Sequence, residues 1–280
     1  MITYRAAAWY KPELGKPNKV IRAIGKIQAS GMRVVAGAYR ATPIRELEAE
    51  IYTPLVDIYY TELRARRIRK IYASPAGAYI QEQCRMISNR LQRRNPQRVA
   101  PRTVPVIQRK LDWANRRAAT LGAVGQRAIT QEWSTRWQSE RKRGWFSLAA
   151  TEELSAKRLK LHDQLRKAES AVLVQARTGR IGLASFLNKA RGPGVDSPSC
   201  RCEQGIETAE HLLLHCPIEQ ERREWRRGAR LSELLSNPGY TAATAKWIIQ
   251  SNRLGQFQLA NRLLYNRVSA STALQTRHRV

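Results

Sequence analysis

The sequence predicts a mainly α-helical protein: a helical N-terminal segment, a basic helical and linker middle, a small cysteine knuckle and a helical tail. Three observations carry that expectation. Apolar residues recur at three- and four-residue intervals along most of the chain, and convincing strand patterns are few. Helix punctuation is dense, with Thr42-Pro43, Ser155, Gly179 and Gly192-Pro193-Gly194 at natural starts and stops. Hydrophobic residues make up 42% of 280, which supports a core rather than wholesale disorder.

The elements follow in chain order. Residues 1–17 mix Tyr4, Trp9 and Tyr10 with Pro12 and Pro17 and read as irregular chain with one short helix at most. From Asn18 to Ala36, the residues Val20, Ile24, Ile27, Gly31 and Val34 mark the buried face of a helix that Gly37 ends or bends. Thr42 as N-cap and Pro43 at the first helical position start a second helix, with Glu46, Glu48 and Glu50 near its positive end. A third begins near Pro54 and runs through Ile58, Leu63, Ile68 and Ile71, with Arg64, Arg66, Arg67, Arg69 and Lys70 on its other face. Residues 88–105 read as a linker, because Arg90, Arg93, Arg94 and Arg98 repel one another among Pro96, Pro101 and Pro105. Helix resumes from Val106 to Gly144.

Ser155 then caps a helix that carries Leu161, Leu165, Ala168 and Val172 on one face and stops at Gly179. Ile181 to Ala190 adds a short helix with Phe186 and Leu187 inward, and 218–227, 230–236, 241–250 and 254–268 all look helical. The expected divisions are 1–87, 88–150, 151–196, 197–227 and 228–280.

Charge is the strongest compositional signal. Fifty Lys+Arg against 22 Asp+Glu leave a net +28. Self-repulsion on that scale points to a polyanionic partner, RNA or DNA first and an anionic membrane surface second. Residues 62–145 hold 20 Lys+Arg and 5 Asp+Glu, a net of +15, so over half the excess sits in under a third of the chain. The expected phosphate contacts are Arg64, Arg66, Arg67, Arg69, Lys70, Arg93, Arg94, Arg141, Lys142 and Arg143. Trp133 and Trp137, four apart among cations, allow either base stacking or core anchoring.

Several classes are set aside. No apolar run reaches the length of a membrane span, and residues 1–30 lack the apolar core of a secretory signal. Two-metal polymerases and nucleases need clustered carboxylates, whereas the four aspartates, Asp57, Asp112, Asp163 and Asp196, stand singly. Phosphate-loop and nucleophile-elbow motifs are absent. The expectation is a chain that is not an enzyme by itself and takes no small-molecule substrate.

Three of four cysteines lie at 200, 202 and 216, with His211 between them. Three thiolates and one imidazole suit tetrahedral zinc. The alternative is a set of inert buried thiols beside a core histidine. Thr208 is placed to cap a short helix that carries His211 and stops before Pro217. His211 and His215 both precede Cys216. His211 is the expected ligand, because adjacent residues rarely direct both side chains at one tetrahedral ion.

CRCEQGIETAEHLLLHCP resembles the C-terminal zinc knuckle of fungal non-LTR retrotransposon reverse transcriptases. LKLHDQLRKAESAVLVQARTGRIGLASFL is similar to the helix pair that precedes that knuckle, and KIQASGMRVVAGAYRATPIRELEAE to the segment after the palm, in the thumb region. The resemblance implies a thumb-like segment followed by a knuckle with Cys200, Cys202, His211 and Cys216 as ligands. It also implies a nuclear protein that handles template or target nucleic acid. The palm Asp-Asp motif and the acidic constellation of an RNase H domain are missing, so the implied role is a nucleic-acid-binding tail without its catalyst. Two alternatives stand beside it: a non-functional remnant, and an enzyme whose carboxylates converge only in space.

Overall fold

The computed structural model describes residues 10–12, 18–94, 103–141, 147–219 and 228–265. The fold is mainly α, as expected. Its helices are α1 (Lys19–Ala36), α2 (Ile44–Glu50), α3 (Val56–Tyr72), α4 (Pro75–Arg94), α5 (Thr103–Leu121), α6 (Gln126–Arg141), α7 (Leu148–Thr151), α8 (Lys167–Arg177), α9 (Ala184–Lys189), α10 (Leu231–Ser236), α11 (Pro238–Gln250) and α12 (Gln258–Tyr265). Among the described residues the only β pairing is an isolated antiparallel bridge between Ser199 and Ile206.

The chain forms two compact units, residues 1–28 with 54–140, and residues 29–53 with 141–280. In the first, α3, α4 and α5 pack on one another. Tyr10, Ile21 and Tyr60 build one small core with Ile24, Val56 and Leu63; Ala65, Ile68 and Ala114 build another with Tyr72 and Leu111. A buried carboxylate ties the elements together: Glu62 accepts from Arg69 at 2.9 Å and from the Gly125 backbone N–H at 2.8 Å, and pairs with Arg117 at 3.4 Å.

The second unit holds the larger core. Leu161, Val172, Leu173 and Ala176 meet Leu212 and Leu213, Leu234 and Leu235, and Ile248 and Ile249. Met32, Ala36, Leu47 and Val174 form a satellite cluster. A charged network lies beneath. Glu50 accepts from Arg177 at 2.7 and 3.0 Å and from Arg158 at 3.0 Å, and Arg177 also reaches Glu152 at 2.6 Å and the Leu235 carbonyl at 2.8 Å. Burial works against the Arg177 charge, but Glu50 and Glu152 outweigh it and hold its pKa above the ordinary value. Two buried charges are tolerable only when fully bonded in this way.

Several expectations are corrected. The α1 stripe is rotated: Ile24 packs inward, but Val20, Ile27 and Val34 are exposed, and Ile21, Met32 and Ala36 are buried instead. Tyr60 and Leu47 draw that neighbouring row of residues inward. Asn18 starts the helix, its side chain accepting from the Val20 N–H at 2.8 Å. Thr42 does not cap α2, because Pro43 occupies the cap position with no side-chain bond. Glu50 and Glu48 are buried ion-pair partners rather than solvated acids at a helix start.

The expected linker is shorter, since α4 runs through residue 94 and α5 starts at Thr103, taking Pro105 into its first turn where no N–H is required. The helix expected from Val106 to Gly144 breaks at Gly122 and Gly125, with φ of 58° and 64°. The helix after Ser155 is also two: a 3₁₀ segment, Ala156–His162, and α8, separated at Gln164 with φ 63°. Ser155 does cap the first piece, and Gly179 ends the second with φ 65°. The expected helix at 218–227 falls mostly outside the described residues, apart from a 3₁₀ turn at Pro217–Glu219.

Candidate metal centre

The knuckle grows from local backbone. The Glu203 N–H donates to the Cys200 carbonyl at 2.9 Å, closing a turn in which Glu203 has φ 59°. The Cys200 N–H donates to the Gly205 carbonyl at 2.8 Å, and the Glu207 N–H to the Pro198 carbonyl at 2.9 Å. This short loop carries Cys200 and Cys202 on one wall. Gly205 leaves room for the imidazole: a Cβ there would lie 3.0 Å from His211 Nδ1 and 3.1 Å from Cε1, so the ring would have to give way by a few tenths of an ångström. The Thr208 hydroxyl accepts from the His211 N–H at 3.0 Å, so Thr208 does cap the helical turn.

The helix then does something the spacing did not announce. His211–His215 is a π-turn, closed by a bond of 2.7 Å from the Cys216 N–H to the His211 carbonyl. An ordinary α-turn would send positions five apart to different faces; the wider i→i+5 turn brings them back toward one side. Cys216 itself is extended, with φ −63° and ψ 117°, just past the last turn.

The ligand atoms of Cys200, Cys202, His211 and Cys216 all lie within 4.8 Å of one another. Cys200 and Cys216 Sγ are 3.7 Å apart, and Cys202 Sγ lies 3.2 Å from His211 Nε2. A sulfur separation of 3.7 Å is far too long for a disulfide, and all three cysteines are free thiols. It matches the edge of about 3.8 Å that a zinc tetrahedron with bonds of about 2.3 Å requires. The donor set therefore fits a tetrahedral thiophilic cation and is compatible with zinc. His215 is exposed and takes no part in the group.

As thiols, the three cysteines are unequal. Burial and the neighbouring Cys200 and Cys202 sulfurs push the Cys216 thiol up to about 11. Burial also raises Cys202, but the Gln204 backbone and the Cys200 and Cys216 side chains bring it below the ordinary thiol value.

Sequence reasoning missed one side chain. Arg253, between α11 and α12, points at the knuckle. Its guanidinium bonds Glu207 at 3.0 Å and Glu219 at 3.2 Å, and approaches Cys200 Sγ at 3.8 Å and Cys216 Sγ at 3.9 Å. Its separation of 34 to 53 residues from these partners leaves no local signal.

The expected phosphate contacts divide. Arg66, Arg67 and Lys70 are exposed on α3, and Arg93 and Arg94 at the end of α4. Arg64 is buried at 9% exposure, and Arg69 is half-buried, bonded to Glu62 and to the Ala114 carbonyl at 2.9 Å each. The Arg141 side chain, Lys142 and Arg143 lie outside the described residues. Arg90, Arg116 and Arg127 are further exposed cations of the same unit. Trp133 and Trp137 are buried at 2% and 3%, so they anchor the core and are not available for base stacking. Comparison with family models, with curated protein sequences and with solved structures gives no match.

Proposed function

We propose that this chain is a nucleic-acid-binding module organised around a structural zinc, the counterpart of the C-terminal part of a non-LTR retrotransposon reverse transcriptase, and that it acts without a catalytic centre of its own. The observation that carries the reading is the convergence of Cys200, Cys202, His211 and Cys216 in the order of the zinc knuckle that the sequence resembles. All four positions are filled by donors, which is the pattern of a closed structural site rather than an open catalytic one. The cationic excess supports the second half of the reading. Exposed Arg66, Arg67, Lys70, Arg90, Arg93 and Arg94 offer backbone-directed, salt-sensitive contacts with little sequence preference. Acids of the second unit, such as Glu50 and Glu152, are neutralised by Arg158 and Arg177, which argues against their use as metal-holding catalytic carboxylates.

The test is a titration of the purified chain with labelled single-stranded RNA and DNA at several salt concentrations, alongside zinc analysis. Neutralising about five phosphates should give log K a slope near −3.5 against log salt. One zinc per chain is expected. A salt-independent affinity, or a chain that carries no zinc, overturns the proposal.

A further inference from the structure

The Cys₃His group raises a charge problem. Three thiolates and a neutral imidazole around a divalent cation leave one negative charge in excess, in a place where Cys200 and Cys216 are buried at 2% and 0% exposure. An uncompensated buried charge is costly. Glu207 and Glu219 close by would make it worse.

Arg253 meets each of these groups. Its side chain is 3% exposed. Nη1 serves Glu207 and the Cys200 sulfur; Nη2 serves Glu219 and the Cys216 sulfur. The planar fork of arginine can address two carboxylates and two sulfurs together, which the single ammonium of lysine cannot. The backbone beneath it is rigidly built. Asn252 takes φ 57°, and its side-chain carbonyl accepts from the buried Asn261 amide at 2.7 Å. Leu254, the next residue, is 1% exposed in the main core of the unit.

We propose that Arg253 is a positioning residue of the metal centre: it offsets part of the negative charge gathered by the Cys200 and Cys216 thiolates, Glu207 and Glu219, and makes the packing of the tail helices, residues 231–265, depend on the bound metal. This rests on the reading of the Cys₃His group as a zinc site. The knuckle and the tail are then one metal-dependent folding unit, not two successive modules. With the cation in place, the sulfurs are thiolates that attract Arg253. With it gone, no ion ties the two sulfurs together against Arg253, and its contacts to them loosen.

The experiment uses the full chain as wild type, Arg253→Lys and Arg253→Gln, each loaded with zinc and, separately, with Co²⁺ as a spectroscopic probe. Arg253→Gln should bind zinc about 10- to 100-fold more weakly, as loss of an outer-sphere partner does elsewhere. Its thiolate-to-cobalt charge-transfer band should move to lower energy, because sulfurs without a cation beside them release charge more easily. Arg253→Lys should fall between the two on both readouts. Hydrogen exchange on the wild type alone guards against a glutamine variant that fails to fold: stripping zinc should raise exchange across residues 238–250. Unchanged zinc affinity and an unmoved band in Arg253→Gln overturn the proposal, as does protection at 238–250 that ignores zinc. A wild type that binds no zinc overturns the metal reading itself, and this inference falls with it; normal zinc binding with an indifferent tail overturns this inference alone.

Discussion

A single histidine completes the possible metal-binding group of the knuckle. His211 presents Nε2 to Cys202 Sγ, whereas His215, one residue before Cys216, is exposed. His211→Ala should therefore lower zinc content toward zero, and His215→Ala should leave it at one per chain; atomic emission on both variants checks this. The group was legible in the sequence because its four members lie within seventeen residues, whereas the π-turn that brings His211 and Cys216 toward one side was not. Arg253 was illegible for the opposite reason. Nothing near it marks it apart from forty-nine other cations. His162 is the other informative residue. Its ring bonds Ser170 Oγ at 2.8 Å, and burial holds its pKa below the ordinary 6.5, against Glu50 and Asp163, which favour the charge, and with Arg177, which opposes it. A depressed histidine is neutral in the fold, so the unfolded chain binds the proton first. Stability is complete above about pH 6.5 and falls as pH drops through the window between the unfolded and folded values. Glu152 adds a second loss further down. Burial raises it, but the Arg177 bonds outweigh that and bring it below the ordinary 4.5, so its contribution disappears only as pH falls through that lower value. Thermal midpoints measured across about pH 7.5 to 5.5 should decline in the wild type and flatten in His162→Gln.

Helices were easier to place than to orient. The α1 limits, Lys19 to Ala36, follow from Asn18 and Gly37, yet its inner face was misread. Apolar residues at helical spacing occupy two neighbouring stripes there, and only the partners, Tyr60 and Leu47, choose between them. The same blindness to partners explains Arg64, whose place in a run of cations looked solvated but is buried at the contact side of α3. Interruptions inside the expected helices were lost at Gly122 and Gly125 as well as at Gln164, whose left-handed φ has no local mark in the sequence. Gly37 supplies a test at this scale. It has φ 62°, and a Cβ there would collide with the Ala171 side chain, whereas Gly122, at φ 58°, faces open space. Gly37→Ala should cost more than the 1–3 kcal/mol or so of left-handed strain, and Gly122→Ala about 1 kcal/mol. Paired denaturant titrations should rank them in that order; equal costs would remove the Ala171 contact from the account.

Taken whole, the unit of residues 1–28 and 54–140 carries more than half of the net positive charge, and the possible metal donors lie in the other unit. Binding and metal content should then be separable. Replacing Arg66, Arg67 and Lys70 with glutamine should flatten the salt slope for single strands by about 2 units, at about 0.7 per phosphate contact, without changing zinc stoichiometry. Replacing buried Arg64 should lower stability more than it changes the slope. Nucleic-acid titrations on both variants check the distinction, and a larger slope change from Arg64 than from the exposed trio would contradict it.

The long reach from Glu50 to Arg177 has a consequence for the chain as it is made. Glu50 leaves the ribosome 127 residues before its principal partner. At about 5–20 residues per second, that carboxylate waits on the order of 6–25 s before it can be buried with its charge matched. Residues 54–140, which with 1–28 make up the first unit, emerge in the interval. Translation thus delivers the first unit whole while most of the second is still unwritten, and a pause between residues 141 and 177 prolongs the period in which α2, with its three acids, stays in water.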